Sequence, residues 1–217
     1  MHSETLPVSF TVDDYPRALL AVAAYNSANP GAQLVADAES GTVLLRSSIS
    51  EPAYRDRAMA ACGMVSAADS AEPAPNLAAE ESDDAARAAV MQSLAAWFTA
   101  HGVSEVHPSA ETGRIEFAID GLPVDFGSTR GGHLQVVAMS QVDGEPGELA
   151  HVCNFATSKV DDAAAFPVKG EQGWWCAVHT AVEVAGCDET GFDAALRSAV
   201  AAVLQLQRTV IVLAGQG

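Results

Sequence analysis

The stretch from Trp174 to Val184 limits the fold more than any other part of the chain. Trp174, Cys176, Val178, Val182 and Val184 fall on one parity with Thr180 among them, and Trp175, Ala177, His179, Ala181 and Glu183 fall on the other. Successive side chains of a strand point to opposite faces, so this pattern predicts a long strand with one buried face. Such a strand needs neighbours, and the flanking sequence supplies them. Ala164 to Lys169 reads as extended, and Glu171-Gln172-Gly173 provides turn residues between the two strands. Beyond the strand, Thr190-x-x-Asp193 reads as a capping box for a helix with Phe192, Leu196, Ala199, Val203 and Leu206 on its apolar face. Upstream, Glu148 to Lys159 places Leu149, Val152, Cys153 and Ala156 at helical spacing.

The same order recurs near the N-terminus. Val8 to Val12 alternates as a short strand. Asp13 or Asp14 is placed to cap a helix with Pro16 in its first turn, and that helix is expected to bury Leu19, Leu20, Val22, Ala23 and Tyr25. Asn29-Pro30-Gly31 ends it. Gln33 to Asp37 and Thr42 to Ser47 form a hairpin around Glu39-Ser40-Gly41, and Ser50 opens a helix through Tyr54, Ala58 and Cys62. Strand, helix ending near an asparagine, hairpin and closing helix thus describe both Val8 to Val65 and Leu134 to Val203, with Tyr25-Asn26 matching Cys153-Asn154.

Ser66 to Asp84 holds two prolines, many alanines, six acidic residues and no basic one. This composition reads as an acidic flexible linker over 66–84. It separates a partial repeat over 1–65 from a full domain over 85–210. The domain opens with a helix from about Asp83 to His101, with Val90, Leu94, Trp97 and Phe98 on one face and Gly102 at its end. Arg114 to Ile119, a turn at Asp120-Gly121, Leu122 to Phe126 and His133 to Val142 follow as three strands. The fold class expected is α+β, a two-layer antiparallel sheet with helices on one face and a partial N-terminal repeat.

Charge restricts the partners. The 217 residues carry 28 acidic and 11 basic side chains, a formal charge of −17. Such a polyanion repels phosphate backbones and anionic membrane surfaces, so nucleic-acid and membrane partners are not expected. Ala18 to Ala24 and Val210 to Ala214 are too short to span a bilayer, and Met1 to Pro7 lacks a signal-peptide pattern. The four cysteines show no disulfide-scaffold spacing, which fits reduced thiols and a cytoplasmic location.

The order helix, three-strand meander, helix, hairpin, helix resembles the YbjN family and the wider type III secretion chaperone-like fold. Ala95-Ala96-Trp97-Phe98 with Gly102, Asn154 beside Phe155, and the run from Phe166 to Leu204 carry the resemblance, which covers about Ala85 to Arg208 in full and the first module in part. It implies a non-enzymatic, acidic, chaperone-like or regulatory protein that dimerises and binds other proteins.

No catalytic signature stands against that implication. There is no Gly-x-Ser-x-Gly elbow, phosphate loop or dinucleotide fingerprint. Cys176 and His179 lie three apart on a strand and point to opposite faces, so no metal is expected there, and no cofactor is implied. Two surfaces remain. Trp175 and His179, with Val137 and Met139 of the preceding strand, are expected on an open sheet face as a protein-interaction site, unless the first module or a second subunit covers it. Ser128 to Gly132, with Arg130, Gly131 and Gly132, is the alternative, an anion or small-ligand site or part of an unrecognised enzyme. The partner expected is a protein, with either a homodimer or an intrachain pseudo-dimer as the assembly.

Overall fold

The computed structural model describes residues 2–47, 49, 53–63, 77–103, 106, 108–109, 113–129, 131–171 and 173–215. In order they form β1 (His2–Ser9), α1 (Tyr15–Ala28), β2 (Ala32–Asp37), β3 (Thr42–Ser47), α2 (Ala53–Ala61), α3 (Leu77–Ala100), β4 (Ile115–Ile119), β5 (Leu122–Ser128), β6 (Leu134–Val142), α4 (Pro146–Thr157), β7 (Ala164–Gly170), β8 (Gly173–Val182) and α5 (Glu189–Ala214). The architecture is α+β, with two antiparallel sheets of order β1-β3-β2 and β4-β5-β6-β8-β7. The first order repeats as β6-β8-β7 in the second sheet, and each hairpin follows a helix and precedes another.

The alternating residues of the second sheet meet α3, α4 and α5 on one face. Val124, Leu134, Val136 and Val178 are fully enclosed there by Leu94 of α3, Leu149 and Cys153 of α4, and Leu196, Val203 and Leu206 of α5. α5 is long and apolar enough, by length and composition, to cross a membrane. Phe192, Leu196, Ala199, Val203, Leu204, Leu206 and Val210 are nonetheless buried in this core, so it packs as the core helix of the domain.

Several local expectations shift. β1 begins at His2 and ends at Ser9, and Val12 instead starts a 3-10 turn capped by Thr11. Leu20 is 58% exposed, because the buried stripe of α1 runs through Leu19, Val22, Tyr25 and Asn26. Asp188, rather than Thr190, caps α5, its Oδ1 accepting from the Gly191 amide at 2.8 Å. α3 begins at Leu77, inside the stretch read as a linker, since alanine and glutamate favour helix once prolines are left behind. The rest of that stretch, and Ser50, lie outside the described residues.

The main departure is in the layers. α1 packs on β2 and also on β7 and α4, so helices occupy both faces of the second sheet at its β7–β8 end. Ala150 of α4 and Ala181 of β8 belong to the core formed by Leu19, Val22, Leu34 and Leu45 of the first sheet. Two asparagines close the β2 edge that β3 leaves open. Asn26 accepts from the Leu34 amide at 2.7 Å and donates to the Leu34 carbonyl at 3.1 Å. Asn154 does the same at Ala36, with both bonds at 2.9 Å. A primary amide presents N–H donors on one side and a carbonyl acceptor on the other, so each side chain stands in for a strand residue. Thr157 Oγ1 takes the Ala165 amide at 2.9 Å on β7 in a similar way. Gln33 donates to the Asp161 carbonyl at 2.6 Å, and Arg46 pairs with Asp161 at 3.0 Å.

Asn154→Ala removes two buried hydrogen bonds and strands both backbone groups of Ala36. The expected loss is about 2–4 kcal/mol, read as a lower urea midpoint. A midpoint within experimental error of wild type would show that the β2 edge needs no such partner.

Candidate functional site

Strand register brings the expected interaction residues onto one face. Val137 lies opposite His179, Met139 opposite Ala177, and Gln141 opposite Trp175. β7 continues the rows with Ala164, Phe166 and Val168. On the other side Val137 faces Asp125, which faces Glu116 of β4. These residues share the face away from the α3–α4–α5 layer.

That face divides in two. Phe166, Ala177, His179 and Ala181 are buried under α1 and its surroundings. His179, expected on an open surface, is 3% exposed. Its ring meets Phe166 edge-on at 4.8 Å and bonds the Asn26 backbone, while Nε2 has no partner. The parity was right and the exposure was not, because α1 of the first module covers this end. Val137, Met139, Val168 and Trp175 remain half-buried, and Ala118 and Pro123 on the same face are exposed. The Trp175 indole lies across Gly170, where a β-carbon would come within 2.6 Å of Nε1. Trp174, on the opposite parity, packs against the main core.

Charge borders the free strip. Burial raises the Asp125 carboxyl above the ordinary aspartate range, and Glu116 adds to the rise while Arg114 offsets part of it. Arg114 also donates to Gln135 Oε1 at 2.8 Å. The strip therefore pairs an apolar centre with an acidic flank.

The loop proposed to hold an anion is committed elsewhere. The Gly132 amide donates to the Thr129 carbonyl at 3.1 Å, and the Thr129 amide to the His133 carbonyl at 3.0 Å. Gly132 sits against α3, where a β-carbon would meet that of Ala86 at 2.5 Å, so its backbone is closed off on that side. Gly131 is exposed. Arg130 lies outside the described residues. A cleft of about 380 Å³ beside the loop is lined by Asp84, Arg87, Met91, Arg114 and Ser128. Its cations are already paired, Arg87 with Asp84 at 3.5 Å and Arg114 with Gln135.

Cysteine and histidine do not converge. Cys176 points into the main core and His179 toward α1, and no group of three or more His, Cys, Asp and Glu forms among the described residues. Cys153 and Cys176 touch at 3.5 Å between their sulfurs. That contact and burial push the Cys153 thiol well above its ordinary value. The sequence reading missed one polar cluster. Asp193 accepts from the Trp97 indole at 2.8 Å and from Arg197, and His101 stacks on Trp97 at 4.0 Å. Arg197 and the indole hold the Asp193 carboxyl below its usual range. Its partners come from α3 and α5, so it ties those helices together.

No family model and no curated protein matches the chain. Among solved structures, it is similar to that of YbjN from E. coli, described as a candidate transcription regulator, at 15% identity over 56% of this chain and 88% of that one. The TM-score is 0.44, too low for the likeness to bear on what this chain does.

Two outcomes check this geometry. Desolvation lowers the His179 pKa to about 4, partly offset by the Asn26 bond, with Arg114 adding to the fall. The unfolded chain binds this proton from about pH 6.5 and the native state only near 4. Stability is therefore whole above 6.5 and is lost as pH falls toward 4, by about 3 kcal/mol. The acid slope should flatten in His179→Gln, measured by urea unfolding at stepped pH, and an unchanged slope would assign it to other groups. Separately, Trp174→Ala should cost about 2 kcal/mol through lost core packing, and Trp175→Ala clearly less. Equal losses would contradict the assignment of the two indoles to different faces.

Proposed function

We propose that this chain is a non-enzymatic protein-interaction module, chaperone-like or regulatory, that meets a protein partner through the uncovered part of its second sheet face. One observation carries the reading. Val137, Met139 and Trp175 form a half-buried apolar strip in consecutive rows of a sheet, next to a face that α1 already uses for a contact of the same kind. Aromatic and methionine side chains in such a setting are typical anchors of protein contacts. The contact of α1 with β7 supports the second of the two expected assemblies, an intrachain pseudo-dimer of two like units. The free strip is then the surface for a second copy or a different protein. The acidic flank at Glu116 and Asp125 favours a partner that brings Lys or Arg beside its apolar anchor. The unlinked Cys153 and Cys176 thiols, in contact within the core, support action in a reducing compartment such as the cytoplasm.

The test is affinity capture from an extract of the source cells, with light scattering of the purified chain. Wild type should retain a defined protein or self-associate, and Trp175→Ala and Met139→Asp should lose that contact while keeping their circular dichroism. Capture and mass that are identical in all three proteins would remove the strip from the account.

A further inference from the structure

Two cysteines meet inside the larger unit. Leu149, Cys153 and Ala156 share the buried stripe of α4, and Cys176 shares with Val178 the face of β8 that packs into the same core. Either one alone would serve as a small apolar filler. Together they place two sulfurs 3.5 Å apart although the residues lie 23 positions apart in the chain. Both are enclosed, Cys153 at 1% exposure and Cys176 at 0%, whereas Cys62 is half-buried and Cys187 exposed. A disulfide holds its sulfurs about 2.05 Å apart, so closure asks for an approach of about 1.5 Å shared between two side chains.

We propose that Cys153 and Cys176 are an oxidation site that closes into a disulfide, with a peroxide as the oxidant, and that the bond clamps α4 onto β8. Two thiols and one hydrogen peroxide give one disulfide and two waters. The Cys176 thiolate attacks a peroxide oxygen and breaks the O–O bond, leaving a sulfenic acid and a hydroxide that takes up the Cys176 proton. The Cys153 sulfur then displaces the sulfenic oxygen. The S–S bond forms, the S–O bond breaks, and the Cys153 proton leaves with that oxygen as water.

The contact itself assigns these roles. Bonding from Cys153 lowers the Cys176 thiol below its ordinary value against the effect of burial, while the same bond and burial raise Cys153. The second step joins sulfurs already in contact, so it outruns further oxidation. Because neither thiol is exposed, peroxide meets Cys176 when α4 opens locally, and the bond then suppresses that opening. Cys153 precedes Asn154, whose amide holds Ala36 of β2, so the clamp sits beside the junction of the two units. It does not depend on the Trp175 strip binding a partner.

The test treats the full reduced chain with hydrogen peroxide, then quenches, alkylates in urea and digests it for mass spectrometry. Cleavage at Glu183 as well as at Lys and Arg separates Cys176 from Cys187. A peptide linking residues 153 and 176 should appear and should return to two thiols with dithiothreitol. In the oxidised protein the Ala36 amide should exchange at least about tenfold more slowly than in the reduced one, because a cross-link between α4 and β8 makes opening rarer. Cys153→Ser should show neither the link nor the slowing, and mapping on the unmodified chain decides the matter even if that variant fails to fold. Recovery of Cys153 and Cys176 as thiols while Cys187 is oxidised overturns the proposal. A link through Cys62 or Cys187 instead, or a 153–176 disulfide that leaves Ala36 exchange unchanged, overturns it as well.

Discussion

The pair of hydrogen bonds between Asn154 and Ala36 is what the rest of the arrangement depends on. β2 is an edge strand, and an edge strand exposes a row of donors and acceptors that invites another chain. Here the row is met by the amides of Asn26 and Asn154, one from each of two helices in like positions. Because Asn154 sits on α4 of the second unit, satisfying β2 also fixes the first unit against the second. α1 is thereby held over the β7–β8 end of the larger sheet, with Ala150 and Ala181 sharing the smaller core. His179 is enclosed as a consequence, and the Trp175 strip stays uncovered because α1 reaches no further.

How much of this was legible in the sequence depends on the range of the forces involved. Alternation is a local consequence of strand geometry, so the opposite placement of Trp174 and Trp175, and of Cys176 and His179, could be read directly. The element order was also legible, since Pro30, the Asp120-Gly121 turn and the apolar faces of α3 and α5 are local signals. Coverage was not. Nothing in the neighbourhood of His179 marks α1, more than a hundred residues away, as its lid. Asn26 and Asn154 appeared only as residues near helix ends, although their matched positions in the two units were the available clue. The capping error at α5 has a similar cause. Thr190 and Asp193 have box spacing, but Asp188 precedes the first helical residue, and Asp193 is drawn to Trp97 from α3, a contact without local signature.

The two units share a topology but not an extent. The second is completed by a hairpin, by α3 and by a long closing helix, and its main face is fully packed. The first has a three-stranded sheet and a short helix over Ala53–Ala61, and it shares part of its core with the second through Ala150 and Ala181.

Native-state hydrogen exchange at Leu34 and Ala36 tests the central claim most directly. If the asparagine amides seal β2 and join the two units into one cooperative body, both amides should exchange with the same opening free energy as Val136 and Val178 in the middle of the larger sheet. Exchange at Leu34 and Ala36 through a separate opening of much lower free energy, with the larger sheet still protected, would contradict it. The β2 edge would then be frayed, and the first unit would be attached to the second without depending on it.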